Sequence, residues 1–159
     1  MTFLPPFRAD HVGSLLRPKE LSAARKEWRE GLITAEQLRS IEDNHILEAV
    51  KKQEEIGLKG ITDGEYRRDY WHLDFMWSFD GVIPSDDIYT NRFHGVEFSA
   101  RAAEISDRVS YPKNGIMLDH FKFLTKSVKE TAKFTIPSAA QFRHRKGVRL
   151  ANTNAYTDI

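Results

Sequence analysis

Three short stretches carry side chains that could bind a polar ligand: His11 with Gly13-Ser14, Asp63-Gly64-Glu65, and Ser138 with Gln141. An exposed amide and a hydroxyl, as at Gly13-Ser14, can hold a carboxylate, and a carboxylate such as Glu65 can hold an ammonium. Each stretch also reads as ordinary structure. Asp63 can bond its own backbone in a plain turn, Gly13-Ser14 can be a turn or cap, and a lone His11 is more often hydrogen-bonded scaffold than catalyst. Position tells the two readings apart. Each stretch follows a predicted strand, and in parallel α/β folds ligands bind at the carboxyl ends of strands, so the three loops are expected to converge on one mouth.

The elements that must position them follow from local pattern. Arg8–Val12 reads as a strand running into Gly13-Ser14 and Arg17-Pro18. Good helix formers fill 19–30, and Gly31 stands where a left-handed cap would end the helix. Thr34-Ala35-Glu36-Gln37 is a capping-box pattern opening a second helix, with Leu38, Ile41, His45 and Ala49 on one face and Gly57 at its end. Leu58–Thr62 is a predicted strand. The aromatic run Tyr66, Tyr70, Trp71, Phe75, Trp77 and Phe79 has mixed periodicity. Tyr66, Trp71, Phe75 and Trp77 could form a stacking wall, although core packing is the commoner role of such residues. The stretches 91–100 and 102–111 alternate imperfectly, as a hairpin or an irregular excursion would. Met117, Phe121, Leu124 and Val128 mark a further amphipathic helix, and Phe134–Pro137 reads as a third strand.

The order β, α, β, excursion, α, β points to a parallel α/β fold. Three βα units are fewer than the eight of a closed barrel, which takes at least ~200 residues.

Composition narrows the classes. Of 159 residues 40% are hydrophobic and 30% charged, and 24 Lys+Arg against 23 Asp+Glu leave a net charge of +1. Apolar runs fall short of the ~18 residues of a membrane span, and no signal peptide is visible, so the expected location is cytoplasmic with no membrane partner. Mixed charge argues against a nucleic-acid binder. The basic run Arg143–Arg149 could hold phosphate but fits a solvated loop better. The chain has no cysteine, which excludes disulfides, thiolate nucleophiles and cysteine zinc sites within it. The six histidines lack the spacing of a local metal motif, so no metal ligand is assigned. No Walker loop, G-x-S-x-G elbow or dinucleotide fingerprint is present.

Read in order, Asp10-His11-Val12-Gly13-Ser14-Leu15-Leu16-Arg17-Pro18, Gly60-Ile61-Thr62-Asp63-Gly64-Glu65-Tyr66-Arg67-Arg68 and Phe134-Thr135-Ile136-Pro137-Ser138 resemble the cobalamin-independent methionine synthase family, in its stand-alone catalytic-domain type. The similarity runs from about Phe7 to Ser138. It implies a TIM-type (β/α)8 barrel of which residues 1–159 form the N-terminal part, the first three βα units with a hairpin-like excursion, in one domain. It implies methyl transfer from a methyltetrahydrofolate, usually polyglutamylated, to the sulfur of homocysteine. Val12, Gly13, Ser14 and Glu65 match the family positions that hold the amino-acid portion, and His11 and Asp63 stand beside them. The family activates sulfur on zinc through a His-x-Cys pair, a Glu and a further Cys on later strands; this chain carries none of that set. The expected partners are homocysteine or methionine and a folate, with self-association or a complementing C-terminal half supplying the rest. Arg101, Arg108 and Lys113 are candidates for an anionic folate tail. Two alternatives stand beside this one: an inactive truncated fragment or interaction module, and a related zinc thiol-alkyltransferase with another thiol substrate.

Overall fold

The computed structural model describes residues 11–144, 148–150 and 156. In chain order the elements are α1 (Lys19–Arg29), α2 (Ala35–Glu55), β1 (Gly60–Ile61), α3 (Leu73–Met76), β2 (Asp80–Phe93), β3 (Val96–Ser110), α4 (Leu118–Ser127), β4 (Thr131–Ala132), α5 (Gln141–His144) and β5 (Val148–Leu150). The fold is mixed α/β. The chain divides into two compact units, one built from 1–69 and 119–135, the other from 70–118 and 136–159.

In the first unit, β1 and β4 pair in parallel, Gly60 opposite Thr131 and Ile61 opposite Ala132. The ladder is extended by Thr131 N to Lys59 O at 3.1 Å and Lys133 N to Ile61 O at 2.8 Å. The helices are cut to length by local signals. Thr34 Oγ1 accepts from Gln37 N at 3.2 Å while Gln37 Oε1 accepts from Thr34 N at 2.7 Å, the expected capping box. Such a cap contributes about 1 kcal/mol. Gly31 and Gly57, at φ 73° and 84°, end α1 and α2. Beyond each, the next residue bonds back into the last turn, Leu32 N to Glu27 O at 2.9 Å and Leu58 N to Gln53 O at 3.1 Å. This is the left-handed stop that glycine adopts without a Cβ penalty.

Leu38, Glu42, Ile46, Ala49, Val50 and Gln53 are the buried face of α2. The apolar members of this face pack with Leu21 and Ala24 of α1, Ile61 of β1, Tyr66, and Leu124 of α4. The two polar members of this stripe are both satisfied. Glu42 takes Arg25 Nη1 at 2.5 Å, and the Gln53 amide brackets the backbone of Thr62, accepting from its N at 3.0 Å and donating to its O at 2.9 Å. Gln53 thereby completes the hydrogen bonding of the chain where β1 ends.

In the second unit, β2 and β3 form a long antiparallel hairpin with register shifts at Asp80/Val82 and Pro84/Ile88, and β5 adds in parallel to β3 at Ala103–Ile105. Leu73, Met76, Val82, Ala100 and Ala103 form its core, flanked by Tyr70, Trp77 and Phe79.

Several expectations need correction. The hairpin exists, but its turn lies at His94-Gly95 (φ 48° and 82°), not near Arg101. Two successive left-handed residues match the twist of the flanking strands, which a turn at Arg101 would not supply. The third strand is Thr131–Ala132 rather than Phe134–Pro137, because pairing is set by register against β1. His11 and Val12 are not in a strand; their carbonyls accept from the Lys133 and Thr135 side chains instead of a ladder. The remainder of that predicted strand, Arg8–Asp10, lies outside the described residues, as do Arg145–Gly147 of the basic run and most of the final ten residues. The aromatic run adopts turns and the short α3. Tyr66 serves the core of the first unit, and Phe75 packs edge-on against Phe79 within the second, with ring centroids 5.4 Å apart.

Candidate functional site

The site residues of the first unit come from two loops fastened to each other. Thr62, at the end of β1, donates through Oγ1 to Gly13 O at 2.8 Å and accepts from Gly64 N at 3.2 Å. Leu15 N donates to Gly64 O at 3.1 Å. The segment 13–15 is therefore held along 62–64, which brings Ser14 beside the turn carrying Glu65. Gly13 has φ 152° and is buried, and a Cβ there would meet Thr135 Oγ1 at 2.7 Å and Glu65 Oε1 at 3.5 Å. Only glycine fits this approach.

Asp63 and Glu65 are both buried. Asp63 Oδ1 accepts from Glu65 N at 2.9 Å, the turn bond expected of an aspartate here. Its Oδ2, and both ring nitrogens of His11, are buried with no hydrogen-bond partner among the described residues. Glu65 itself has φ 59°, a left-handed conformation costing about 1–3 kcal/mol in a residue with a side chain. It is held there from behind. Arg17 Nη2 donates to Glu65 O at 3.4 Å and also to Arg68 O, and Arg25 donates to the carbonyls of Tyr66 and Arg67, each at 3.3 Å. Burial pushes the Glu65 carboxyl above the ordinary glutamate value; Arg68 opposes this, Asp63 adds to it and Arg17 opposes it.

A wider charged cluster supports the same segment. Arg25 spans Glu42 at 2.5 Å and Asp69 at 3.1 Å. Arg67 pairs with Asp43 and stacks 4.5 Å over Phe123, and Arg68 stacks 4.6 Å over Phe134. Burial dominates at Glu42, raising its carboxyl despite Arg25 and Arg67. Sequence reasoning missed Thr62, Arg17, Arg25, Lys133 and Thr135 as supports of the site. Thr62, Arg17 and Thr135 lie inside the quoted motifs, so the signal was present, whereas Arg25 and Lys133 act across 42 and 122 residues.

The third stretch belongs to the second unit. Ser138 Oγ accepts from Ala140 N at 3.2 Å and Ser138 O from Gln141 N at 3.0 Å, a turn leading into α5. Arg101 is engaged inside the hairpin, donating to Ser85 O at 2.7 Å, to Pro84 O at 3.1 Å and to Asp86 at 3.0 Å, where the register of β2 shifts.

Among the described residues no group of three or more His, Cys, Asp or Glu side chains could hold a metal ion. With no cysteine in the chain, the residues present do not fit the zinc that the resemblance implies. No helix of the described residues is long and apolar enough to cross a membrane.

Comparison with known proteins adds a class to this geometry. No family model matches the chain. The uncharacterised Bacillus subtilis proteins YxjG and YxjH are 44% and 43% identical over 135 and 134 residues, 84% of this chain in each case. A 5-methyltetrahydropteroyltriglutamate--homocysteine methyltransferase of Bacillus thuringiensis is 35% identical over 65 residues, 41% of this chain and 8% of its own length. Among solved structures, a Listeria monocytogenes chain provisionally assigned as a vitamin-B12-independent methionine synthase superposes with a TM-score of 0.72 at 38% identity, over 92% of this chain and 41% of that one. A B12-independent methionine synthase of Shewanella sp., solved with selenomethionine, shares the fold at a TM-score of 0.60 and 17% identity, over 77% of this chain and 35% of its own. The chain resembles the cobalamin-independent methionine synthase family. It spans 35% of the length of the two Bacillus subtilis relatives.

Proposed function

We propose that the first unit binds the amino-acid portion of homocysteine or methionine, as part of a methyltetrahydrofolate–homocysteine S-methyltransferase with a TIM-type barrel. The observation that carries this is the juxtaposition of Gly13 with Glu65, which brings an amide-and-hydroxyl loop to a buried carboxylate. The amides of 12–14 and the Ser14 hydroxyl receive the α-carboxylate, and Glu65 receives the α-ammonium, with Asp63 adding negative charge behind it. His11 stands at the edge of the same loop as a further polar contact. Charge-assisted bonds of these two kinds fix the position of the α-carboxylate and the α-ammonium of an amino acid. The selenomethionine held by the Shewanella relative supports a ligand of this shape.

The chain's part is to bind and orient the amino acid; no residue of it is assigned to chemistry at sulfur. Calorimetric titration with L-homocysteine and L-methionine tests this. Binding that is lost in Glu65→Ala is the expected result, and unchanged binding in that variant would remove the assignment.

A further inference from the structure

Three successive carbonyl oxygens of the loop 11–14 are held by three side chains from elsewhere in the first unit. Lys133 Nζ donates to His11 O, Thr135 Oγ1 to Val12 O, and Thr62 Oγ1 to Gly13 O at 2.8 Å. No peptide bond here is cis, and in a planar trans peptide the N–H points opposite to the C=O. Holding the carbonyls therefore aims the amides of Val12, Gly13 and Ser14 away from the groups that hold them. Among the described residues nothing accepts from these three amides. Unbonded main-chain amides are donors that an anion can take. Left unheld, the planes on either side of Gly13 would turn freely, since glycine imposes little restriction of its own.

We propose that Lys133 and Thr135 are positioning residues for the ligand carboxylate: they set the peptide planes of 11–14 so that its amides face the ligand in advance, without touching it themselves. The inference rests on the assignment of this loop as the carboxylate subsite, and extends it to residues that follow β4. Preorganisation of this sort raises affinity by removing the ordering cost at binding. It also explains why Gly13 and Thr135 approach so closely.

The test compares L-methionine with its decarboxylated analogue, 3-(methylthio)propylamine, by calorimetry on the wild-type chain and on Thr135→Val, Thr135→Ser and Lys133→Met. Loss of one organising bond should weaken L-methionine about tenfold in Thr135→Val and in Lys133→Met and leave the amine unchanged, with Thr135→Ser restored to about the wild-type value. Equal losses for both ligands, or an unchanged affinity for L-methionine, would overturn the proposal. A second readout needs no ligand. Amide order parameters at Val12, Gly13 and Ser14 should drop from about 0.85 toward 0.6 in Thr135→Val while those of Ile61 and Thr62 stay put. Unaltered order at 12–14 overturns the positioning role by itself. A wild-type chain that binds neither ligand, but whose loop loosens in Thr135→Val, would remove the amino-acid assignment and keep the clamp.

Discussion

The carboxylate of Glu65 reaches to 3.5 Å from the point where a side chain on Gly13 would begin. Two residues 52 apart in the chain thus share one small volume, and each is the type its place demands. Gly13 leaves room, and Glu65 tolerates a left-handed backbone because arginines hold the carbonyls around it.

Gly13→Ala should therefore destabilise the first unit by about 1–3 kcal/mol, from strain at φ 152° and the contact with Thr135 Oγ1. Ligand affinity should fall with it. Urea unfolding with an unchanged m-value is the check, and wild-type stability in this variant would mean the loop relaxes freely.

Glu65 predicts a pH dependence of binding. Its carboxyl titrates above the 4.5 of an ordinary glutamate, chiefly through burial, and only the ionised form attracts an ammonium. Affinity for L-methionine should decline as pH falls through that raised value, by about tenfold per unit below it. Stability runs the other way: the folded state holds this proton more tightly than the unfolded chain, so the contribution of Glu65 is present at low pH and lost as pH rises through the folded value. Glu65→Gln should flatten both profiles; a binding profile that turns only at or below 4.5 would contradict the assignment.

His120 should govern acid stability. Burial lowers its pKa from 6.5 to about 4, against the pull of the adjacent Asp119 and with Arg67 and Arg39 adding to the depression. The imidazole is neutral in the folded state, so stability is present above 6.5 and drains away as pH falls toward 4, by roughly 3 kcal/mol in all. Thermal melts of His120→Gln should show a shallower loss between those limits. An identical acid limb in the two proteins would count against it.

Arg25 ties Glu42, Asp69 and the carbonyls of Tyr66 and Arg67 together. Its replacement by Met leaves Glu42 buried with Arg67 at 3.6 Å as its remaining cation, a change that costs at most about 3–5 kcal/mol. The double variant Arg25→Met/Glu42→Leu should recover part of that loss. A single variant as stable as wild type would show that the cluster is not a support of the 65–69 segment.

What the sequence made legible was local. The Thr34/Gln37 box and the glycine stops at Gly31 and Gly57 depend on neighbours within a turn, and the structure has them where the pattern placed them. Strand identity depends on a distant partner: Phe134-Thr135-Ile136 has the stronger strand composition, yet β4 is Thr131–Ala132 because that pair meets β1 in register. At the candidate site, motif and position propose Gly13, Ser14 and Glu65, and the structure sets Gly13 and Glu65 side by side. They do not propose Gln53, Arg25 and Lys133, since a glutamine on a helix face or a lysine after a strand has no local signature of a bond to one particular carbonyl.

The most direct test is a titration of the isotopically labelled chain with L-methionine, followed at each backbone amide. Shift changes centred on Val12, Gly13, Ser14 and Glu65, and lost in Glu65→Gln, are the predicted result. Saturable binding with its changes elsewhere, or no binding at all, would contradict the assignment of an amino-acid site to the first unit.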